Sequence, residues 1–305
     1  MDTNGKSHPQ RVFLWSVPRS LSTVFGKCMS FIPKTQIVNE PFNCAYHMGP
    51  EMQQNDSKPV SDDEVAKYEK GLADKINEMK HELPMAFDAK VCTYNFVKSE
   101  LEADYPGKEL VFCKDMAYGL VGKYDMLPEG YRHTFIIRNP YRMFPSHRKL
   151  LAKILEGMGV KKFRLCDLPP TMLPKGYAFQ EQYELMLYVQ ENCGQDPIII
   201  DADDLLSNPA SIMCQYCELL GIPFQEEMLE WPSGLDVIKS WKGSREILVG
   251  NLLETGGYYD TALKSTRYHQ PKKMPKREEL AEDTLVCVDH SMPFYEKMYD
   301  LRLKP

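Results

Sequence analysis

The stretch Arg11-Val12-Phe13-Leu14-Trp15-Ser16-Val17-Pro18-Arg19-Ser20-Leu21-Ser22-Thr23-Val24-Phe25 decides how the chain is read. Val12 to Trp15 is a short apolar run dominated by strand formers, suited to an interior strand of a parallel sheet. Val17-Pro18 stops it, because proline has no N–H for a ladder and fixes its own φ. Ser20, Ser22 and Thr23 are each competent helix N-caps, and Val24, Phe25 and Cys28 give the following helix an apolar face. A strand that enters a helix through a turn of hydroxyls and one arginine brings unpaired N–H groups, the helix dipole and a guanidinium to one point, which predicts an anion site. The competing reading is an ordinary β-to-α turn whose Ser and Thr only cap the helix. A nucleoside-triphosphate loop, Gly-x-x-x-x-Gly-Lys-[Ser/Thr], is excluded here, because no glycine occurs between Arg11 and Phe25.

Outward from this stretch, strands and helices alternate. Gln36 to Asn39 is a short strand followed by Glu40-Pro41-Phe42, which leaves a carboxylate at a strand end, and Tyr46 to Pro59 reads as loop. Ser61-Asp62-Asp63-Glu64 is a capping box opening an amphipathic helix with Val65, Tyr68, Leu72, Ile76 and Met79 on its apolar face and Pro84 beyond its end. Residues from about 46 to 85 are thus expected to form a helical insertion covering a site or shaping an acceptor pocket. Ala86 to Val91 reads as extended, Asn95 to Asp104 as a helix, and Leu110 to Lys114 as a strand with Lys114-Asp115 at its carboxyl end. His133 to Arg138 is the next strand, and an arginine ending an apolar strand is costly to bury unless it meets an anion or a carboxylate. Past Asn139-Pro140, Ser146 lies eight residues after Arg138 and can return a hydroxyl to the same side.

Residues 157–176, rich in Gly, Pro, Lys and Arg, are expected to form a mobile loop. A helix over Phe179 to Asn192, a strand over Pro197 to Asp201 and a helix over Ile212 to Leu220, stopped by Gly221 and Pro223, follow. Trp231 to Tyr268 reads as loops and short helices, and residues 276–302 as helical, with Pro293 starting the last helix. This alternation predicts one three-layer α/β/α domain over 1–305 with a mostly parallel central sheet. Arg19, Glu40, Lys114 and Arg138 all fall at carboxyl ends of strands, the edge where open parallel sheets bind ligands. Taken singly, Glu40 could be a surface residue opening a loop, and Lys114 could simply pair with Asp115 or Glu40.

Composition narrows the function. The chain of 305 residues is 43% hydrophobic and 26% charged with a net charge of -6, which suits a soluble globular protein and argues against a nucleic-acid binder. Met1 to Gln10 lacks the apolar stretch of a signal peptide and no later run is apolar enough to span a bilayer, so a cytoplasmic protein without a membrane partner is expected. Nine cysteines scattered through core elements fit reduced thiols, and Cys214 with Cys217 fits core packing better than a metal pair.

These residues resemble the sulfotransferases that use 3′-phosphoadenosine 5′-phosphosulfate (PAPS). Val17 to Thr23 looks like their 5′-phosphosulfate loop, Arg138 to Ser146 is similar to their 3′-phosphate motif, and Ile198 to Leu205 with Asn208-Pro209 and Leu220 to Pro223 resembles their later strand, turn and capped helix. The resemblance implies a P-loop-like nucleotide-binding fold, with Arg19, Ser20, Leu21, Ser22 and Thr23 at the phosphosulfate and Arg138 with Ser146 at the 3′-phosphate. It implies transfer of a sulfuryl group to a hydroxyl or amine of a small molecule, PAP (adenosine 3′,5′-bisphosphate) as product, and no metal. Many small-molecule members carry a His base two residues after the strand-end Lys, where this chain has Met116. Several carbohydrate members use a Glu after the second strand, and Glu40 matches that place, so Glu40 is the expected base, Asp115 the reserve, and Lys114 and Arg19 the groups that stabilise the leaving PAP. Leu21 replaces the loop glycine, so the turn is expected to avoid a positive φ there. Val24 and Ala202 stand where adenine-contacting aromatics occur in the family, and Lys264, Ser265 and Arg267 are the nearest substitute for its Arg-Lys-Gly block. A kinase or nucleotide hydrolase on the same kind of sheet, and a non-catalytic nucleotide-binding protein, are the competing functions.

Overall fold

The computed structural model describes residues 8–51, 60–78, 88–234, 236–243 and 259–305. Its sheet consists of β1 (Gln10–Ser16), β2 (Thr35–Asn39), β3 (Leu110–Met116), β4 (Arg132–Ile137), β5 (Ile198–Asp201) and β6 (Lys242–Gly243). The strands lie in the order β5-β4-β1-β3-β2-β6 and every pairing is parallel. The helices are α1 (Ser22–Met29), α2 (Pro41–Met48), α3 (Asp62–Glu78), α4 (Tyr94–Glu102), α5 (Pro140–Gly157), α6 (Phe179–Cys193), α7 (Ala202–Ser207), α8 (Pro209–Leu220), α9 (Asp260–Lys264) and α10 (Glu282–Asp300).

The strand period of two sends alternate side chains to opposite faces of the sheet. In β1, Val12 and Leu14 join α1 and α8 in one core, with Phe25, Cys28, Met213 and Tyr216. Phe13 and Trp15 face the other way into a larger core with α2, α5, α6 and α10, built on Phe42, Phe144, Phe179 and Val288. A strand buried on both faces has no polar positions to alternate with, which is why β1 reads as a continuous apolar run. The result is the expected three-layer α/β/α architecture with a parallel sheet.

Strand order places the functional edge. From β1 the chain moves to β2 and β3 on one side and then crosses to β4 and β5 on the other, so the order reverses at β1. Loops that diverge at such a reversal leave a crevice beyond the carboxyl ends of the strands. The turn after β1 and the residues after β4 flank that crevice.

Several elements differ from expectation. Residues 41–48, in part expected as loop, form α2, and the segment expected to be extended before Val91 is a 3₁₀ turn over Ala89–Cys92. Pro293 lies inside α10 rather than at the start of a helix. The capping box of α3 is present, Ser61 N–H donating to Glu64 Oε2 at 2.7 Å and Glu64 N–H to Ser61 Oγ at 3.3 Å. The side chains of Leu72 and Ile76, and Met79 and Pro84 as a whole, lie outside the described residues. The segment 157–176 is held to the larger core by fully buried Leu165, whose N–H donates to Asp283 Oδ2 at 2.7 Å, and by Leu173. Among the described residues no helix is long and apolar enough to cross a membrane.

Candidate active site

The turn between β1 and α1 is built on two left-handed residues, Arg19 with φ 61° and Leu21 with φ 72°. The expectation that Leu21 avoids a positive φ is therefore wrong. A non-glycine residue in this region costs about 1–2 kcal/mol. Leu21 offsets that cost by packing its half-buried side chain against the core beside α1. None of the expected hydroxyl caps forms. Ser20 is fully buried and donates from Oγ to the Val17 carbonyl at 2.7 Å, which closes the turn on itself. Thr23 Oγ1 accepts from Lys114 Nζ at 3.3 Å. Leu21 occupies the N-cap, and α1 has no side-chain cap, so its first-turn N–H groups are unclaimed by any capping side chain among the described residues.

α2 starts in the same way and ends up differently. Its N-cap, Glu40, is also left-handed, with φ 54° and no side-chain cap bond of its own. Here a carboxyl group from another strand takes the vacant role: Asp115 Oδ2 accepts from Phe42 N–H at 2.6 Å and Oδ1 from Asn43 N–H at 3.2 Å. Asp115 Oδ1 also accepts from Met116 N–H at 2.7 Å. Burial first and the Glu40 carboxylate second push the Asp115 pKa up to about 8, against the pull of the backbone donors and Lys114. Of two helix starts on one sheet edge that lack a side-chain cap of their own, that of α2 is closed by Asp115 and that of α1 is left open.

Two arginines frame the open one. Arg138, directly after β4, donates from Nη1 to the Arg19 carbonyl at 2.6 Å, and Arg19 Nε donates to Ser146 Oγ on α5 at 3.3 Å. The Arg19 turn and the Arg138/Ser146 pair are thus joined by hydrogen bonds. Among the described residues Arg138 Nε is buried without a hydrogen-bond partner. Burial disfavours its charged form, Arg142 and Arg19 add to that, and Asp203 and Asp201 offset it. Arg142 pairs with Asp203 at 2.7 Å. His147, next to Ser146, has its pKa pushed down to about 4 by burial and by Arg19, so it is neutral at pH 7.

One strand over, Lys114 and Glu40 form a buried ion pair at Oε1, with Lys114 1% exposed and Glu40 4% exposed. The pleat of β3 turns Lys114 toward α1 and Asp115 toward α2, so Lys114 touches both the turn, through Thr23, and the carboxylate. Glu40 Oε2 accepts from Asn43 Nδ2 at 3.3 Å and from Tyr259 Oη at 2.9 Å. Asn43, Tyr259 and His147 were missed in the sequence. Asn43 could have been found from its i+3 spacing to Glu40 once a helix was assigned there, whereas nothing local marks Tyr259.

Other expected residues serve elsewhere. Phe42 is wholly buried and stacks with Phe13 and Trp15, so it belongs to the core. Tyr46 and His47 are half-buried beside Tyr118. Ser265 is bound to Trp231 Nε1 and to Lys27 on the last turn of α1, away from the open helix start, and Arg267 lines an open cleft of about 460 Å³ with Trp231 and His269 at that far end. Among the described residues no group of three or more His, Cys, Asp or Glu is gathered as a metal ion would need.

The chain is similar to known proteins along most of its length and matches a family model over part of it. Two curated relatives, branched-chain-amino-acid aminotransferase-like proteins 1 and 2 of Arabidopsis thaliana, are each 24% identical over 95% and 93% of this chain. The chain spans only 41% and 40% of their lengths. The sulfotransferase domain of the Synechococcus olefin synthase has 14% identity and a TM-score of 0.46, over 93% of this chain and 95% of that one. The sulfotransferase domain of the curacin biosynthetic pathway has 16% identity and a TM-score of 0.44, over 93% and 98%. Residues 186–301 match the family described as sulfotransferase domain. The match takes in β5, α7, α8 and Tyr259 but not Arg19, Glu40, Lys114 or Arg138. The family match thus covers the carboxyl-terminal part of the chain, residues 186–301, on β5 and the helices that follow it.

Proposed function

We propose that the protein transfers a sulfuryl group from PAPS to a hydroxyl or amine of a small-molecule acceptor, by in-line displacement without a metal ion. One observation carries this reading: at the strand-order reversal, the uncapped start of α1 is flanked by Arg19 and by Arg138, whose Nε is buried without a partner. An orphaned buried guanidinium nitrogen beside two further arginines fits an anionic ligand. Arg19, Leu21, Ser22 and Thr23 would hold the phosphosulfate, through the first-turn N–H groups and the Arg19 side chain, while Ser20 braces the turn. Arg138 and Ser146 would hold the 3′-phosphate. PAPS, when bound, supplies the sulfuryl group and leaves as PAP.

The chain's own residues supply the rest. Glu40 is the base that takes the acceptor proton, and Lys114 is the cation that meets charge on the leaving oxygen, together with Arg19. Lys114 reaches both Glu40 and Thr23, so it can shift its hold from the carboxylate to the turn as charge moves that way. That shift frees an Oε1 lone pair on Glu40 for the proton. Asp115 is a poor base by comparison, because it is fully buried and its oxygens are taken by the start of α2. The aromatic side chains of Tyr46, His47 and Tyr118 next to Asn43 favour a small acceptor with an apolar body. The test is to incubate the protein with sulfur-labelled PAPS and pooled hydroxyl and amine acceptors in the presence of EDTA and follow the label by mass spectrometry. Label on an acceptor is the expected result; ATP hydrolysis or phosphoryl transfer that needs Mg²⁺, with no sulfuryl transfer, would overturn the reading.

A further inference from the structure

We propose that Tyr259 is a positioning residue for the Glu40/Lys114 pair, delivered to the site by the carboxyl-terminal part of the chain. The inference rests on the role given to Glu40 above. Tyr259 is 7% exposed, and its hydroxyl donates to Glu40 Oε2 at 2.9 Å while accepting from Asn39 Nδ2 at 3.5 Å. The same ring lies under Lys114 Nζ, 5.8 Å from its centroid. One side chain therefore touches both members of the ion pair, the Glu40 carboxylate through its hydroxyl and the Lys114 ammonium through its π-face.

Two anchors bring Tyr259 there across more than 200 residues of sequence. On one side β6 pairs with the end of β2, Asn39 opposite Gly243, immediately before Glu40. Gly243 is required there: its φ is +101° and a Cβ would come within 2.4 Å of the Asn39 carbonyl oxygen. On the other side α9, which Tyr259 precedes, is held at its carboxyl end by Lys27 of α1. The Lys27 ammonium is buried and donates to the carbonyls of Ala262 at 3.1 Å, Ser265 at 3.3 Å and Pro232 at 3.4 Å. The helix that offers its open start to the anion thus grips, at its last turn, the element that carries Tyr259.

A phenol on Oε2 leaves Oε1 as the oxygen shared between Lys114 and the acceptor. Without that donor, Glu40 loses a partner for its ionised form and a constraint on its orientation. The experiment labels glutamate side-chain carboxyls with ¹³C, assigns the Glu40 signal with Glu40→Gln, and titrates it in the wild type and in Tyr259→Phe, with PAP affinity and kcat measured on the same samples. The expected result is a Glu40 titration midpoint at higher pH in Tyr259→Phe, an unchanged PAP affinity, and a kcat lower by about tenfold or more, the loss of one hydrogen bond to a charged group. Coinciding midpoints in the two proteins would overturn the proposal whether or not the wild type turns over. A wild type that transfers no sulfuryl group but whose Glu40 midpoint still moves in Tyr259→Phe would support the Tyr259 link and overturn only the transferase reading.

Discussion

Arg138 reaches across the strand-order reversal to donate from Nη1 to the main-chain oxygen of Arg19 at 2.6 Å. The bond joins the end of β4 to the turn after β1, so one guanidinium fixes the shape of the turn and, in the proposed function, also holds the 3′-phosphate with its buried, unpartnered Nε. Replacing Arg138 with Ala removes both functions, and PAP affinity measured by calorimetry is expected to fall roughly ten- to hundredfold, the range for a charge-assisted hydrogen bond. Arg138→Lys should recover only a small part, because an ammonium cannot serve the carbonyl and the anion with two separated nitrogens.

Glu40→Gln keeps the size of the side chain and its hydrogen-bonding to Asn43, Tyr259 or Lys114 in part, but cannot take a proton. Sulfuryl transfer from PAPS is expected to drop by roughly 10²-fold or more. PAP affinity, set on the far side of Lys114, should stay within a few-fold. Parallel assays of transfer and of PAP binding check this, and full turnover by the variant would remove Glu40 from the mechanism.

Asp115 makes a signed prediction about stability. Its pKa is about 8 in the fold, raised chiefly by burial, against 3.8 for a free side chain. The folded state therefore holds a proton that the unfolded chain gives up, and the Asp115 contribution is full below pH 3.8 and declines as pH rises to about 8. Asp115→Asn should flatten that decline. At pH 5 it should also cost about 1–3 kcal/mol, because one of its two polar atoms becomes an amide N–H₂ facing the N–H donors of α2 or Met116. Urea unfolding of both proteins from pH 5 to pH 9 measures the difference directly.

His133 and His147 act at the other end of the scale. Burial, aided by Arg132 and Arg19 respectively, pushes their pKa values down to about 3 and about 4, so both are neutral in the fold. The unfolded chain protonates them near pH 6.5, so it binds more protons below that point and stability is lost as pH falls from about 6.5 toward 4. His147→Gln should reduce the acid-side loss in denaturant titrations, while a loss equal to the wild type would mean that His147 is protonated in the fold.

Much of this architecture can be read before any coordinates. The five principal strands are apolar runs closed by turn residues, and Arg19, Glu40, Lys114 and Arg138 could be assigned to one edge because each follows or ends such a run. The parts that were not legible share a cause, which is a partner distant in the chain. α2 was read only as a strand end and a loop because its start is capped by Asp115, and no local cap announces it. β6 is two residues long and exists only through its pairing with Val38 and Asn39. Leu21 obeys packing against the core rather than its own preference for negative φ. Pro293 is a helix breaker by rule, yet α10 runs through it while packed on α5 and α6. Tyr259 meets Glu40 from 219 residues further along the chain, and the helix that follows it is held by Lys27.

The most direct test of the account is an equilibrium titration of the wild-type protein with PAP in EDTA, with ATP, alone and with Mg²⁺, as the comparison ligand. One PAP site per chain is expected, saturable without metal and weakened by Arg138→Ala, with ATP binding weaker than PAP under both conditions. No PAP binding, or a preference for ATP that appears with Mg²⁺, would contradict it.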